Sequence, residues 1–492
     1  MAARIAVHAH FYQPPRENPW TGEIDEQPDA EPFHDWNERV HEEAYRPNAF
    51  ASIPTARGDE TVNNFERLSF DVGPTLLAWM EAADRETYER IVEADSRSVE
   101  RLGHGNAMAQ AFHHTILPLA PRRDLYTQLR WGIADFAYRF GRPPEGLWLP
   151  ETAADAATLD ALIDEGIAFT VLAPHQIARW REHGGAWVDV DEHPADTRVP
   201  YSYRHGDGSG RALALFPYDG GIAQEIAFRD AASSGEGLLD LFGDRLDDES
   251  GRLVHAATDG ETYGHHRKFA DLGLAYALFV EAERRGWEVT NYGRHLADHP
   301  PRHEAELAAG ATSWSCAHGV GRWSTDCGCA TGGEPGWNQS WREPLRAALD
   351  LVRDAADDAF DRMALTTFED PWAVRDRYVE VVIGQTEVEE FIWREAGERL
   401  SGGPMREVHD LLELQRNSMS MFTSCGWFFH DVSGIETQQV LRYAGRTLEL
   451  LRALGAGGPE EAFLARLEEA RSNDPERGTG ADVFRSVVMA SR

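Results

Sequence analysis

The feature that most constrains the fold is the alternation of short apolar runs with longer amphipathic segments through the first 300 residues. The apolar runs are partly β-branched, and polar or turn residues follow each of them. They lie at 4–10, 146–150, 168–173, 212–217 and 253–258. Segments such as 73–95 and 156–167 repeat apolar residues every three or four positions, which is typical of helices. Strands that alternate with helices predict a mostly parallel α/β sheet, either open or closed into a barrel.

Other parts of the chain differ in composition and in the spacing of their apolar residues. Residues 14–64 and 174–211 are rich in Pro, Gly, Asp and His and have little periodicity, so we expect long loops there. A Gly-, Cys- and Trp-rich stretch at 310–341 is followed by helical patterns at 344–364, 374–396, 405–419 and 437–454. We therefore predict three parts: an α/β domain at 1–300, a connecting segment at 301–343 and a helical domain at 344–492.

The charge of the chain argues against two classes of partner. The 492 residues carry a formal net charge of −35, which repels nucleic-acid phosphates and anionic membrane surfaces. No run of about 18 uncharged apolar residues occurs, so no membrane span is expected. The first residues also lack the apolar core of a signal peptide. We expect a cytoplasmic protein without nucleic-acid or membrane partners, and the sequence does not indicate its oligomeric state.

The basic residues are almost all arginine, since Lys268 is the only lysine. A GC-rich genome would explain this bias. Adaptation to high salt would explain it too, because salt screens the self-repulsion of a strongly acidic protein. Stability measured from low salt to molar KCl separates the two explanations, because only the halophilic one requires stability to change with salt.

The first predicted strand ends in a polar pattern. In "VHAHF", His8 and His10 are two positions apart and project from one face of the strand. That end of a barrel strand is where ligands bind. Structural histidines, metal ligands and hydrogen-bond donors to a polar substrate all fit the pattern, and the next residues, including Gln13, favour a substrate-facing loop. A second histidine-rich stretch contributes His104 and His114, as core or as binding residues.

Two acidic residues also follow predicted strands. Glu151 comes shortly after Trp148, and an indole beside a carboxylate is a common way to hold a sugar ring. The alternative is that Glu151 only caps the helix that follows. Asp259 comes directly after the last predicted strand, with Glu261 and His265 close behind. This density of titratable groups favours a functional site over a solvated turn.

Taken in order, these stretches resemble glycoside hydrolase family 57. "HAHFYQP", "HTILPL", "GLWLPE" and "DGETYGHH" are similar to four successive motifs of that family, within about the first 270 residues. The resemblance implies a (β/α)7-type distorted barrel followed by an α-helical region. It also implies a retaining glycosidase or transglycosylase. The substrate would be a polysaccharide or oligosaccharide of the α-glucan type. Glu151 would be the nucleophile and Asp259 the general acid/base, with no metal and no cofactor.

The same resemblance implies a set of substrate-binding residues. The set consists of His8, His10, Gln13, His104, His114, Trp148, Glu261, His265, Trp323 and Trp341. The last two come from the region where a fifth motif is expected. The sequence departs from the family pattern at Thr115, where proline is usual, and at His266, where tryptophan is frequent. The exact glycan, and the choice between hydrolysis and transfer, are therefore left open.

Two other functions remain open from the residues themselves. A metal-dependent carbohydrate deacetylase-like hydrolase would use His8, His10 and Asp259 to bind a divalent ion that activates water. A non-catalytic α-glucan-binding protein would keep the aromatic residues without turnover. Metal analysis distinguishes the first from a glycosidase, and a binding assay without turnover would indicate the second.

The cysteines pose a separate question. Cys316, Cys327 and Cys329 lie with His318 inside fourteen residues, and Cys425 is distant. Four cysteines in a chain of this length do not make a disulfide framework. A tetrahedral zinc site is conceivable, but the C-x-C spacing differs from the C-x₂-C usual in zinc fingers. Reduced structural thiols are the favoured interpretation, with a metal site or a disulfide as alternatives.

Overall fold

The computed structural model describes residues 3–247 and 251–491. They form two compact units, neither of which is continuous in the chain. The first unit comprises the chain up to Gln13, Glu26–Ala111 and Phe136–Trp314. The second comprises Pro14–Asp25, Phe112–Asp135 and the chain from Ser315 onward. The first unit thus extends past the boundary expected near residue 300, and two early segments belong to the second unit.

Seven parallel strands form the centre of the first unit. They are β1 (Arg4–Phe11), β2 (Ser69–Val72), β3 (Ala109–Gln110), β4 (Leu147–Trp148), β5 (Phe169–Leu172), β6 (Ala212–Pro217) and β7 (Leu253–Asp259). Nearly all of their residues are buried, as expected for parallel strands with both faces covered. The five strands predicted from apolar runs, β1 and β4 to β7, are confirmed. The sequence did not predict β2 and β3, because polar residues interrupt these short strands, Ser69 and Asp71 in β2 and Gln110 in β3.

The seven strands pair in chain order around a barrel. β1 pairs with β2 and with β7, β3 pairs with β4, and β5 pairs with β6. Parallel bridges from Phe70 to Ala107 and from Gly146 to Phe169 join β2 to β3 and β4 to β5. Between β6 and β7 the N–H of Asp219 donates to the carbonyl of His255. The result is the expected distorted (β/α)7 barrel, with the carboxyl ends of all seven strands at one rim.

Additional strands extend the barrel sheet beyond β6. Tyr201–Arg204 pairs antiparallel with β6, and His303–Leu307, Ile177–Glu182 and Val188–Asp189 follow it in the sheet. A hairpin joins Ala51–Thr55 to Gly58–Val62, and Glu288–Val289 pairs with the start of β1. The prediction of long loops at 14–64 and 174–211 is therefore wrong. These outer strands are rich in charged and polar residues, so they lack the apolar alternation by which a strand is predicted.

The helices of the first unit surround the barrel. They are Trp36–Val40, Arg46–Ala49, Pro74–Ala83, Arg85–Leu102, Ala156–Asp164, Gly220–Phe228, Gly235–Gly243, Ala270–Tyr276, Ala282–Arg284 and Tyr292–Asp298. The helix expected at 73–95 is interrupted, because the carboxylate of Asp84 caps a new helix by accepting the N–H of Thr87. Another helix, Arg122–Phe140, begins in the second unit and ends in the first.

The second unit is helical, as predicted. Its helices are Arg342–Met363, Pro371–Arg377, Val379–Val382, Val388–Ala396, Gly402–Ser420, Cys425–Phe428, Ile435–Ala453, Glu460–Glu469 and Gly480–Ala490. Phe360, Phe391 and Leu412 are fully buried in their shared core. The single helix expected at 374–396 is broken into three, and Gly384, with φ of +71°, lies in the break. Among the described helices, none has the length and apolar character needed to cross a membrane.

Candidate active site

Two histidines and an aspartate are bonded together at the carboxyl ends of β1 and β2. His8 and His10 project from one face of β1, and His10 is in register with Asp71 of β2. The two oxygens of the Asp71 carboxylate lie 3.1 Å from His8 Nε2 and 2.8 Å from His10 Nδ1. All three side chains are buried. Asp71 thus fixes the orientation of both rings.

The two rings differ in charge. Burial lowers the pKa of His8 in spite of its bond to Asp71. Burial also acts to lower the pKa of His10, but the negative charges of Asp71, Asp259 and Glu261 outweigh it and raise the pKa of His10 to about 9. At neutral pH His10 is therefore a cation and His8 is neutral. A buried imidazolium beside carboxylates can donate a hydrogen bond to a substrate hydroxyl or ring oxygen.

Glu151 occupies a strained turn directly after β4. Glu151 and Thr152 have φ of +58° and +48°. The left-handed region costs about 1–2 kcal/mol for each residue that is not glycine. The helix that follows is capped by Asp155, whose side chain accepts the N–H of Thr158, so the cap is not Glu151. Backbone strain of this kind is typical of functional sites.

Gln176 holds the strained turn in place. Its side-chain amide donates to the carbonyl of Thr152 over 2.7 Å, and the Thr152 hydroxyl donates to the Gln176 amide oxygen over 2.9 Å. The backbone N–H of Trp314 also donates to the carbonyl of Glu151 over 3.0 Å. Gln176 and Thr152 are fully buried. These bonds offset the strain and fix the direction in which the Glu151 carboxylate points.

Trp314 orients that carboxylate directly. Its indole N–H donates to Glu151 Oε2 over 2.9 Å. The Trp314 ring lies edge-on to Trp148, His10 and Tyr218, with centroids 5.2, 6.3 and 6.4 Å away. Glu151 is thereby connected, through packed rings, to the histidine cluster on β1.

Asp259 ends β7 at the rim that carries His10, its partner in register. Its side chain is open to solvent, yet it lies in a recess crowded by protein atoms. The desolvation caused by this crowding raises the pKa of Asp259, and the charge of His10 opposes the rise. Negative charges on Glu261, Glu151 and Asp71 add to it, and the resulting pKa is about 7. Asp259 therefore keeps its proton to a higher pH than an ordinary carboxyl group does.

Glu261 accepts two hydrogen bonds that hold the loops around Asp259 in place. Its carboxylate accepts the backbone N–H of Tyr12 over 3.0 Å and the hydroxyl of Tyr45 over 2.6 Å. Burial raises the pKa of Glu261, while the bond from Tyr45 opposes this effect. The two donors fix the loop after β1 to the loop after β7. Glu261 is thus a positioning residue whose charge also acts on Asp259.

Trp148 forms the floor beneath the histidines. It stacks on His8 and His10 with centroids 4.6 and 5.2 Å apart and both interplanar angles 21°. The indole is fully buried. Its ring therefore supports the two imidazoles instead of presenting an open face to a sugar. Among the described residues its Nε1 has no hydrogen-bond partner.

Three other predicted binding residues of the first unit lie at different distances from this cluster. Gln13 follows β1 by two residues and is partly buried. His265 bonds Glu43 in the loops above the rim. His104 lies ahead of β3 and bonds Glu145, which precedes β4, over 2.8 Å. Because His104 and Glu145 lie toward the amino ends of the strands, His104 is on the rim opposite Asp259, and we leave it out of the proposed site.

The remaining predicted binding residues belong to the second unit. His114 has φ of +54° and its Nδ1 lies 2.6 Å from the hydroxyl of Ser424. Trp323 and Trp341 are 0% and 1% exposed, so neither presents a free ring face. Their assignment to substrate binding stays a prediction.

Sequence reasoning missed two residues of the site. Asp71 is an acid inside a short apolar run, two positions after Ser69, and this spacing on one strand face is a signal that was available. Trp314 lies in the Trp-rich stretch that was recognised, but nothing in the sequence distinguishes it from Trp323 and Trp341. Its importance follows only from its bond to Glu151, which is 163 positions away in the chain.

The geometry also bears on the metal-dependent alternative. In the described part of the chain, His8, His10 and Asp259 do not form a group whose ligand atoms are close enough to share one ion. The group that does so consists of Cys316, His318, Cys327 and Cys329, in the second unit. His8 and His10 bond Asp71 instead.

Replacing Trp314 with phenylalanine tests the orientation of Glu151. The change keeps an aromatic ring and removes the donor to the carboxylate. A hydrogen bond to a charged group contributes about 1.5–3 kcal/mol, so we expect kcat of a reaction in which Glu151 takes part to fall about 10- to 100-fold. Trp393→Phe, on an exposed helix position, is the matched control. A Trp314→Phe enzyme with the kcat of the control would contradict the role of the indole.

Comparison with known proteins supports the fold and identifies the family. The model of glycosyl hydrolase family 57 matches residues 5–308. A domain family of unknown function, DUF3536, matches residues 337–492. The solved structure of an exo-type maltose-forming amylase from Pyrococcus sp. ST04 superposes with a TM-score of 0.71. Its sequence identity is 15%, and the match covers 100% of this chain and 88% of that one.

Two curated relatives match part of the chain. An α-amylase from Pyrococcus horikoshii is 23% identical over 228 residues, which is 46% of this chain and 31% of the relative. A 4-alpha-glucanotransferase from Thermococcus litoralis is 24% identical over 208 residues, which is 42% of this chain and 28% of the relative. The chain thus matches about a third of the length of these relatives. The family model, in contrast, covers more than half of the chain, including β1 to β7 and both acids of the rim. The chain belongs to glycosyl hydrolase family 57.

Proposed function

We propose that this protein is a retaining glycoside hydrolase or transglycosylase that acts on α-glucans, with Glu151 as nucleophile and Asp259 as general acid/base. One observation carries the proposal. At the same barrel rim, a carboxylate held by the Trp314 indole accompanies a second carboxyl whose pKa is raised to about 7. Retaining glycosidases require two such carboxyl groups in different protonation states.

In the first step Glu151 attacks the anomeric carbon and the bond from that carbon to the leaving oxygen breaks. Asp259 gives its proton to the leaving oxygen, so the departing sugar leaves as a neutral alcohol. The product is a glycosyl ester on Glu151, and Asp259 is left as a carboxylate. The strained turn and the Trp314 bond pre-orient the nucleophile. This pre-orientation lowers the entropic part of the activation free energy.

In the second step Asp259 acts as a base. It takes a proton from a water molecule or from a sugar hydroxyl, whose oxygen attacks the anomeric carbon and releases Glu151. Water gives hydrolysis and a sugar hydroxyl gives transfer. His10, as a cation, would hydrogen-bond the sugar at the bond being cleaved, in the orientation that Asp71 imposes. His8 would support this arrangement from within the protein, because its two ring nitrogens bond Ser69 and Asp71.

The substrate class rests on the family and on the names of its relatives. An amylase and a 4-alpha-glucanotransferase match this chain. We therefore propose an α-linked glucan as substrate. The direct test is incubation of the purified protein with a panel of α-glucans, while the linkage and anomeric form of the products are followed. Absence of any new product, together with binding of the same glucans, would instead support a non-catalytic binding protein.

The pH dependence of the reaction follows from Asp259. The free enzyme needs this group protonated, and its pKa is about 7. We therefore expect kcat/KM to fall as pH rises through about 7, by roughly tenfold for each further pH unit. The measurement is kcat/KM on a maltooligosaccharide from pH 5 to 9. A profile that stays level to pH 9 would contradict the assignment of Asp259 as the acid.

Glu261→Gln gives a sharper form of this test. The negative charge of Glu261 raises the pKa of Asp259, and the amide keeps an acceptor for Tyr45 and the Tyr12 N–H. We expect the decline of kcat/KM in this variant to begin at lower pH than in the wild type. Glu283→Gln, on the outer face of the barrel, should leave the profile unchanged. A shift to higher pH in Glu261→Gln would be inconsistent with the proposed electrostatics.

A further inference from the structure

The second unit contains a group of side chains that the proposed reaction does not use. Cys316, His318, Cys327 and Cys329 each offer one ligand atom, and these four atoms all lie within 4.8 Å of one another. The residues belong to a segment that has little regular structure, with the short turn Gly321–Trp323 between the two halves of the group. From their geometry we infer that they form a Cys₃His site for one zinc ion, which orders this segment.

The spacing of the ligand atoms matches a tetrahedral ion. The sulfurs of Cys316 and Cys327 are 3.9 Å apart, and the Cys329 sulfur is 3.5 Å from His318 Nδ1. With bonds of about 2.3 Å to sulfur and about 2.0–2.1 Å to nitrogen, the edges of a tetrahedron are about 3.8 Å and about 3.5 Å. An ion would draw the widest pair closer by about 1 Å. Cys316 is buried, whereas the other three ligands are partly or fully exposed, so their side chains can make this small movement.

A disulfide does not explain the cluster. None of the four cysteines forms a disulfide in the part of the chain that the structure describes. The distance of 3.9 Å between Cys316 and Cys327 is far longer than the S–S bond of about 2.05 Å. A disulfide would also use two of the thiols and leave the third thiol and the imidazole without a function. Three soft sulfurs and one imidazole, closed around one point, are the ligand set of structural zinc.

The backbone is shaped to bring the ligands together. Gly319 and Gly328 have φ of +74° and +82°, a conformation that glycine adopts without strain. Gly328 stands between Cys327 and Cys329, and the chain bends there, while both sulfurs lie in the same group of ligand atoms. Packing at the neighbouring turn is close, because a Cβ added to Gly321 would lie 3.1 Å from the Cβ of Cys327.

The surroundings also suit a thiolate-bound ion. Three thiolates and a neutral imidazole give a divalent ion one net negative charge, and the buried guanidinium of Arg342 complements it. Arg342 donates to the carbonyl of Cys329 over 2.7 Å. The backbone N–H of Ala317 bonds the Cys329 sulfur, and those of His318 and Arg322 bond the Cys316 sulfur. Donors of this kind, outside the ligands themselves, are typical of metal centres.

Two arginines beside the site connect its loop to neighbouring elements. Arg322 donates to the carbonyl of Phe428 and to the Thr331 hydroxyl, both over 3.0 Å. Arg342 begins the long helix Arg342–Met363 and also donates to the carbonyl of Phe429 over 3.2 Å. An ion on the cysteines would therefore order the loop, and the arginine bonds would carry this order to the start of the long helix and to the end of the short helix Cys425–Phe428.

Metal analysis of the full-length protein tests the inference. The protein is expressed without a histidine tag in zinc-supplemented medium, and zinc is measured per chain together with the thiols freed by chelator under denaturing conditions. We expect one zinc per chain and four free thiols. Wild-type protein without stoichiometric metal, or with only two titratable thiols, would overturn the inference.

Two variants and a spectroscopic probe locate the ion. Cys329→Ser should lose the zinc, while Cys425→Ser, which changes the cysteine outside the group, should keep it. Replacement of zinc by Co²⁺ should give thiolate-to-cobalt charge transfer and the strong visible bands of a tetrahedral ion in the wild type. These bands do not depend on whether a variant folds. Octahedral cobalt bands, or equal zinc loss in both variants, would contradict the assigned ligands.

Discussion

Glu151→Gln is expected to reduce kcat by roughly 10³-fold or more, because the amide cannot form the glycosyl ester. The variant should fold normally, since the amide oxygen can still accept the indole N–H of Trp314. The measurement is kcat on a maltooligosaccharide, alongside the thermal unfolding midpoint. Substrate binding should persist, because the change removes a reacting group and leaves the histidines of β1 in place.

The control for this variant is Glu145→Gln. Glu145 lies just before β4, and Glu151 lies just after it, at the opposite rim. Its replacement should leave kcat near the wild-type value. A small anion offers a further check, since azide can attack the anomeric carbon in Glu151→Gly. This rescue should give a glycosyl azide of inverted configuration. Wild-type turnover in Glu151→Gln would refute the role of nucleophile.

Asp259→Asn is expected to lower kcat on a natural glucan by about 10²- to 10⁴-fold, since the amide has no proton to give the leaving oxygen. Substrates with an acidic leaving group, such as an aryl glycoside or a glycosyl fluoride, do not need that proton. The first step should therefore survive on them, and the glycosyl-enzyme should accumulate because the second step lacks its base. The measurement compares kcat on the two substrate types, with a burst of leaving group expected on the activated one.

The control for Asp259→Asn is Asp298→Asn. Asp298 pairs with Arg4 at the start of β1, away from the rim that carries Asp259. It should change neither kcat nor the preference between substrate types. The same loss of activity on activated and natural substrates in Asp259→Asn would indicate a structural defect, and not the loss of an acid.

The sequence predicted the barrel to the extent that its strands are long and apolar. β1 and β5 to β7 have four or more residues that are buried nearly throughout, so their apolar runs stand out. β2 and β3 do not, because β2 contains the buried Asp71 and β3 ends in the polar Gln110, whereas the equally short β4 lies inside an apolar run. The broken helix near Gly384 was missed for a different reason. Helical periodicity continues across the break, and one positive φ interrupts the chain.

The residues of the candidate site also differ in how far the sequence reveals them. Residues that directly follow a predicted strand, Glu151 and Asp259, can be found from sequence because the end of a parallel strand is where a barrel binds ligands. Residues that matter through a distant partner cannot. Trp314 belongs to the site only through its bond to Glu151. His104 was predicted to belong to the site, but its bond to Glu145 places it at the opposite rim. The cysteine group likewise depends on the positive φ and the bend at Gly328, which the spacing of the cysteines does not reveal.

The most direct test of the central claim is to identify the residue that carries the sugar. Asp259→Asn is reacted with an α-maltooligosaccharyl fluoride, quenched, digested and analysed by peptide mass spectrometry. The account predicts one modified peptide, with the sugar esterified to Glu151. A sugar on any other residue, or an unmodified protein during continued turnover of the fluoride, would contradict it.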